Sequence, residues 1–168
     1  MMNMNAKELD QAIRNVFGSY FEISCNRKLN GRTFAYVLES FDLQGRTITG
    51  TDKMIDSYYI YENCYVFQQK IKHGTVKQMM EEMYRTVKPV LKLEDRHYKT
   101  TLHFIVFTSL DDSLVKEIKA FRKTYLLKLG FKGSIHTDLT AVDLQKKVIC
   151  GYKTAEALQK PLREELFK

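Results

Sequence analysis

The polar and apolar positions of this chain alternate between two periods. Apolar residues Ala6, Leu9, Ile13 and Val16 or Phe17 recur at helical spacing, and Asn5 with Glu8 has the form of a capping box. The spacing predicts a helix over about 6–17, closed by Gly18 in the left-handed conformation that ends many helices. The period then becomes two. Tyr20, Glu22 and Ser24 oppose Phe21, Ile23 and Cys25, Asn30-Gly31 marks a tight turn, and Thr33–Phe41 completes a hairpin. Gln44-Gly45 reads as a second turn and Arg46–Thr51, with its alternating threonines, as a short edge strand. The densest strand-forming stretch, SYYIYENCYVFQQK over 57–70, divides at Glu62-Asn63 into two hairpin arms, Met54–Tyr61 and Cys64–Lys70.

Helical spacing returns at Thr75. A second capping box, Thr75 with Gln78, precedes the stripe Val76, Met79, Met80, Met83 and Val87, and Pro89 stops the helix near 85–88. Thr100–Leu110 (TTLHFIVFTSL) is apolar on both parities, the mark of a central strand covered on both faces. Asp111 or Asp112 caps a third helix with the stripe Leu114, Ile118, Phe121, Tyr125 and Leu129, ended by Gly130. Phe131–Ala141 and Lys146–Gly151 read as strands bent at Asp143-Leu144-Gln145, and a last helix, about 154–167, is interrupted by Pro161. The passage from Thr100 to Ala141 is long enough for a parallel crossover. These elements predict an α+β fold in one globular domain over 1–168. It is a largely antiparallel, twisted sheet of six to eight strands with four helices and α/β/α layering around strand 100–110.

Composition narrows the class. With 44% hydrophobic and 12% aromatic residues, and ten Gly plus Pro among 168, the chain has the makings of a packed core. No run approaches the roughly 20 apolar residues of a membrane helix, and the polar start lacks the apolar segment of a signal peptide, which points to the cytoplasm. Cys25, Cys64 and Cys150 are odd in number and flanked by strand-like sequence, so they read as buried thiols in a reducing compartment. The net charge of +7 is uneven: residues 1–74 carry nine Lys/Arg against eight Asp/Glu, and residues 75–168 carry eighteen against twelve. Such a basic half can attract nucleic acid, although charges spread this widely also suit an ordinary solvated surface.

Three kinds of chemistry compete. The sharpest uses Asp56, Gln68 and Lys70. Gln68 and Lys70 point to one face of their strand, which Asp56 reaches from the neighbouring arm, so a carboxylate could hold Mg and the lysine stabilise developing charge in phosphodiester hydrolysis. Asp followed about a dozen residues later by Gln-x-Lys resembles the variant motif of nucleases in the restriction-endonuclease-like superfamily. The order helix, strands, helix, strand over 6–110 is similar to that core. The resemblance implies a Mg-dependent nuclease with Glu8 as a further acid. The same residues also read as the solvated polar end of a strand. Second, Tyr58, Tyr59, Tyr61, Tyr65 and Phe67 could stack bases while Lys116, Lys119, Arg122 and Lys123 contact phosphates without catalysis. Third, the edge strand and aromatic hairpin could pair with a like surface to give a homodimer.

His73, His97, His103 and His136 show no metal-ligand spacing, Cys-x-x-Cys is missing, and neither glycine-rich phosphate loop is present. The sequence therefore assigns no metal and no cofactor outside the nuclease reading. It favours a non-enzymatic binding or protein-interaction module, with the nuclease and nucleic-acid readings as alternatives.

Overall fold

The structure, a computed structural model, describes residues 4–47 and 54–168. Helix α1 (Ala6–Phe17) starts as its sequence dictates: the Asn5 side chain accepts from the Glu8 N–H at 2.9 Å, and the Glu8 carboxylate accepts from the Asn5 N–H at 3.2 Å. Gly18 departs from expectation. It stays right-handed at φ −66, donating to the Arg14 carbonyl. Its glycine is required by space, since a Cβ would stand 2.5 Å from the Arg14 oxygen.

Strands β1 (Glu22–Leu29) and β2 (Arg32–Thr47) form the expected hairpin, with Asn30 and Gly31 at φ 46 and 84 as a two-residue turn of the type that demands positive φ at both places. Two further expected turns are absent. Gln44-Gly45 lies inside β2, and Glu62-Asn63 lies inside β3 (Met54–Gln68), one strand of 15 residues rather than a hairpin. The expected edge strand Arg46–Thr51 is described only to Thr47, where it belongs to β2; the rest lies outside the described residues.

Helix α2 (Val76–Val87) buries the methionine stripe, but the second capping box does not form. The Thr75 hydroxyl donates instead to the Lys72 carbonyl. Strand β4 (His97–Phe107) leads to α3 (Asp112–Ala120), where Asp111 accepts from the Leu114 N–H at 2.8 Å. The α3 residue Glu117 supplies what Thr75 does not, its carboxylate accepting from Gly74 N–H at 2.8 Å and Val76 N–H at 3.1 Å at the start of α2. The third helix is shorter than its stripe suggested. It stops at Ala120, and Arg122–Leu126 is strand β5. Strand β6 (Ser134–Asp143) starts three residues later than expected; β7 (Val148–Gly151) and α4 (Glu156–Leu166), with Pro161 inside it, complete the chain.

The seven strands form one sheet in the order β1-β2-β3-β4-β6-β5, with β7 paired to the C-terminal part of β6. Pairs β3–β4 and β4–β6 are parallel and the other four antiparallel, so the crossover expected between Thr100 and Ala141 is present. Helices α2 and α3 cover one face, packing on Phe34, Tyr65, Phe67, Leu102, Phe104 and Leu139. Helices α1 and α4 cover the other, on Leu38, Cys64, Val66, Ile105, Phe107 and Val142. This is the α/β/α layering, with β4 buried on both sides. Each large apolar side chain so enclosed contributes about 1.5–3 kcal/mol. Cys64 and Cys150 are buried as expected, whereas Cys25 is exposed.

Candidate functional site

Because β3 is a single strand, Asp56 and Gln68 lie twelve residues apart along it, about 40 Å at roughly 3.3 Å per residue. Asp56 is in register with Arg46, and Gln68 with Phe107 at the far end of the sheet. The structure does not bring the two together. Lys70 follows just beyond the strand, where Gln69 accepts from Arg32, whose guanidinium stands 5.2 Å over the Phe67 ring. The four basic residues also part. Lys116 and Lys119 are exposed on α3, while Arg122 and Lys123 are neighbours on β5 and so point to opposite faces. Lys123 bridges to Glu81 at 3.4 Å and Arg122 stands 5.6 Å from the Tyr152 ring. Nor are the tyrosines free platforms: Tyr61 and Tyr65 are buried, and Tyr58 packs on Tyr98.

A different cluster is assembled by the parallel register. Helices α1 and α4 cover only part of their face, leaving the half toward the start of β4 polar and open. Cys64, His103 and Asp138 stand side by side across three strands, with Glu62 two residues before Cys64 on the same face. His103 Nδ1 is 2.8 Å from Asp138 Oδ1 and Nε2 is 3.5 Å from Glu62 Oε1. Both His103 and Asp138 are buried. Burial by itself lowers the imidazole pKa, but the hydrogen bonds and charges of Asp138 and Glu62 outweigh it and raise the ring to about 9. His103 is thus an imidazolium between two carboxylates, donating to Asp138 and paired in charge with Glu62. The Cys64 thiol beside it is fully buried, and burial first and the same carboxylates second push its pKa well up, which disfavours the thiolate.

His136, next on the face, accepts or donates at Thr124 Oγ1 (3.0 Å) and Ser134 Oγ (2.9 Å). Its pKa is lowered by burial and then by the charges of Lys99 and Arg122, so it is neutral near pH 7. Two cavities meet over this floor and share Glu62, His103 and Thr154. One, about 270 Å³, is polar and includes Lys99, Thr101, Arg122 and His136. The other, about 290 Å³, runs between the ends of α1 and α4 and is walled by Val16, Phe17, Phe21, Leu158 and Pro161. Among the described residues no group of three or more His, Cys, Asp or Glu side chains is arranged to hold a metal ion.

The sheet end nearest this groove has a second peculiarity. Pairing of β1 with β2 begins at Glu22 opposite Glu39, and pairing of β4 with β3 at His97 opposite Tyr59, so β2 and β3 run on alone as a two-stranded ribbon to Thr47 and Met54. Among the described residues the large exposed apolar side chains Tyr20, Phe41, Leu43, Val90, Tyr98, Leu126, Leu129 and Phe131 lie toward this end. Leu129 and Phe131 are 90% and 91% exposed, and Leu129 is held at φ 57, a costly conformation for leucine.

The sequence reading set aside the four histidines because their spacing suits no metal, and Asp138 drew no attention. One signal was available: His103 interrupts the apolar run Thr100–Leu110, and a polar group inside a covered strand must find a partner. The chain belongs to the family described as "Domain of unknown function (DUF8052)", whose model matches residues 5–164. No curated protein and no solved structure matches it. No helix among the described residues is long and apolar enough to cross a membrane.

Proposed function

We propose that the protein is a non-enzymatic protein-interaction module that self-associates through the β2–β3 ribbon and the apolar side chains at its base. The observation that carries this reading is that the large exposed apolar residues of the described chain lie toward one end of the sheet, with Phe41 and Leu43 on β2 beside the ribbon, since exposed apolar surface of this kind marks interaction sites. A two-stranded ribbon is marginally stable alone in water and gains from being covered. Beyond Glu39 no described strand pairs with β2 on the side that β1 occupies lower down, so its backbone groups there are open to another strand. A second copy offers the same edge, and two such edges pair antiparallel about a two-fold axis to give an isologous interface.

Sedimentation velocity over a concentration series tests this. The expected result is a concentration-dependent dimer of the 19.7 kDa chain, lost on Phe41→Asp combined with Phe131→Asp. Both side chains are exposed, so the substitutions leave the core intact. A monomer at every concentration up to about 200 μM would overturn the reading, since a specific interface of standard size binds more tightly than that.

A further inference from the structure

We infer that the groove over Glu62, His103 and Thr154 is a binding site for a small amphipathic carboxylate, its head at Lys99 and Arg122 and its apolar body between α1 and α4. The inference is independent of self-association and rests on the joining of two unlike cavities. Neither half alone selects a ligand, but their shared floor requires one that is charged at one end and apolar at the other.

The charge of the polar half fixes the sign of the head. Glu62 and Asp138 carry two negative charges and the His103 imidazolium one positive, a set that leaves one negative charge, with Glu62 the more exposed of the two carboxylates. Lys99 and Arg122 add two positive charges, and among the described residues neither lies within 4.0 Å of a carboxylate. The polar half therefore has one positive charge in excess, which a monoanion neutralises. Arg122 offers a planar donor fork suited to a carboxylate, and its exposed side chain lines the cavity, the guanidinium standing 5.6 Å from the Tyr152 ring. The apolar half is lined by carbon: Phe17, Phe21, Leu158 and Pro161 present no charged group, and its only ionisable lining residues are Tyr20 and the shared Glu62 and His103. A cavity of about 290 Å³ lies at the lower end of the range of small-molecule sites. His103, held by Asp138 at Nδ1 and facing Glu62 with Nε2, anchors the floor and leaves orientation of the head to Lys99 and Arg122.

Titration calorimetry of the full chain with octanoate near pH 7 tests the assignment, with acetate and 1-octanol as the two half-ligands and octyl phosphate as the alternative head. Octanoate is expected to bind, each half-ligand at least about tenfold more weakly, and Arg122→Ala and Lys99→Ala each to weaken octanoate about tenfold, the loss of one charge-assisted contact. Neither side chain is in the core, so both variants should fold. In parallel, the ring-proton resonances of His136 should shift as octanoate is added. The inference is overturned if octanoate fails to bind at about 5 mM, if Arg122→Ala binds it unchanged, if octyl phosphate binds more than about tenfold tighter, or if the His136 signals stay still while heat is evolved. A chain that remains monomeric but passes this test would sink only the self-association reading.

Discussion

Replacing His103 by glutamine keeps a hydrogen-bonding side chain of similar reach but removes the positive charge that faces two carboxylates, one of them buried. In the folded chain the ring titrates at about 9, against 6.5 for an unperturbed histidine. At about 1.36 kcal/mol per pH unit the difference amounts to about 3 kcal/mol of stability. Because the folded value is the higher one, this contribution is fully present below pH 6.5 and is lost as the pH rises through about 9. The size agrees with the roughly 3–5 kcal/mol that removal of one partner costs a buried ion pair. Urea denaturation of both chains at several pH values gives the measurement. Glutamine should cost about 3 kcal/mol near pH 6, and the gap between the chains should close by most of that amount near pH 10. Lysines, tyrosines and thiols titrate over the same range in both proteins and cancel in the difference. A gap that stays constant from about pH 6 to about pH 10 would refute the charged state of His103.

The other expectations concern a loop and the setting of the basic residues. Asp143, buried at the end of β6, accepts from the backbone N–H groups of Leu110 (2.9 Å), Gln145 (3.1 Å) and Lys146 (3.0 Å). Asp143→Ala should cost about 2–4 kcal/mol in a urea melt by orphaning these donors. Burial opposes ionisation of Asp143, but the three hydrogen bonds and Lys146 hold its carboxyl below the usual value, so the wild type should lose stability faster than the variant as pH falls through that range. With Lys116, Lys119, Arg122 and Lys123 dispersed, affinity for labelled DNA or RNA should be weak and fall steeply with salt; tight binding that persists at about 200 mM salt would contradict the dispersal. With Asp56 remote from Gln68, added magnesium should produce no cleavage of those substrates, and cleavage abolished by both Asp56→Asn and Lys70→Ala would contradict the separation along β3.

The helices α1 and α2, the first hairpin, the central strand and its parallel crossover were legible because their periodicity, the α1 capping box and the Asn30-Gly31 turn agree with the tertiary structure. The failures share a cause. Glu62-Asn63 looked like a turn because a polar pair inside a strand needs partners that sequence does not show: Glu62 faces His103, and Asn63 donates to the Tyr65 hydroxyl at 3.1 Å. Phe121, Tyr125 and Leu129 matched a helical stripe, yet Lys123, Tyr125 and their neighbours alternate equally well, and pairing with β6 decides for the strand. Cys25 was misplaced because β1 lies at the edge of the sheet, where both faces are less covered. The site was the least legible part. His103 and Asp138 are 35 positions apart and meet only through the register of β4 with β6.

The packing of α1 against α4 has a consequence for biosynthesis. The two helices lie at opposite ends of the chain, and the Asn15 amide donates to the Glu165 carboxylate at 2.9 Å across 150 positions. Helix α1 therefore waits for α4, and its apolar stripe of Leu9, Ile13 and Phe17 stays partly bare until α4 has been made. The face covered by α2 and α3 has no such delay. A nascent chain can close the side covered by α2 and α3 before α4 has been made, and the other only afterwards, which makes the interval between the two the moment of greatest demand on chaperones.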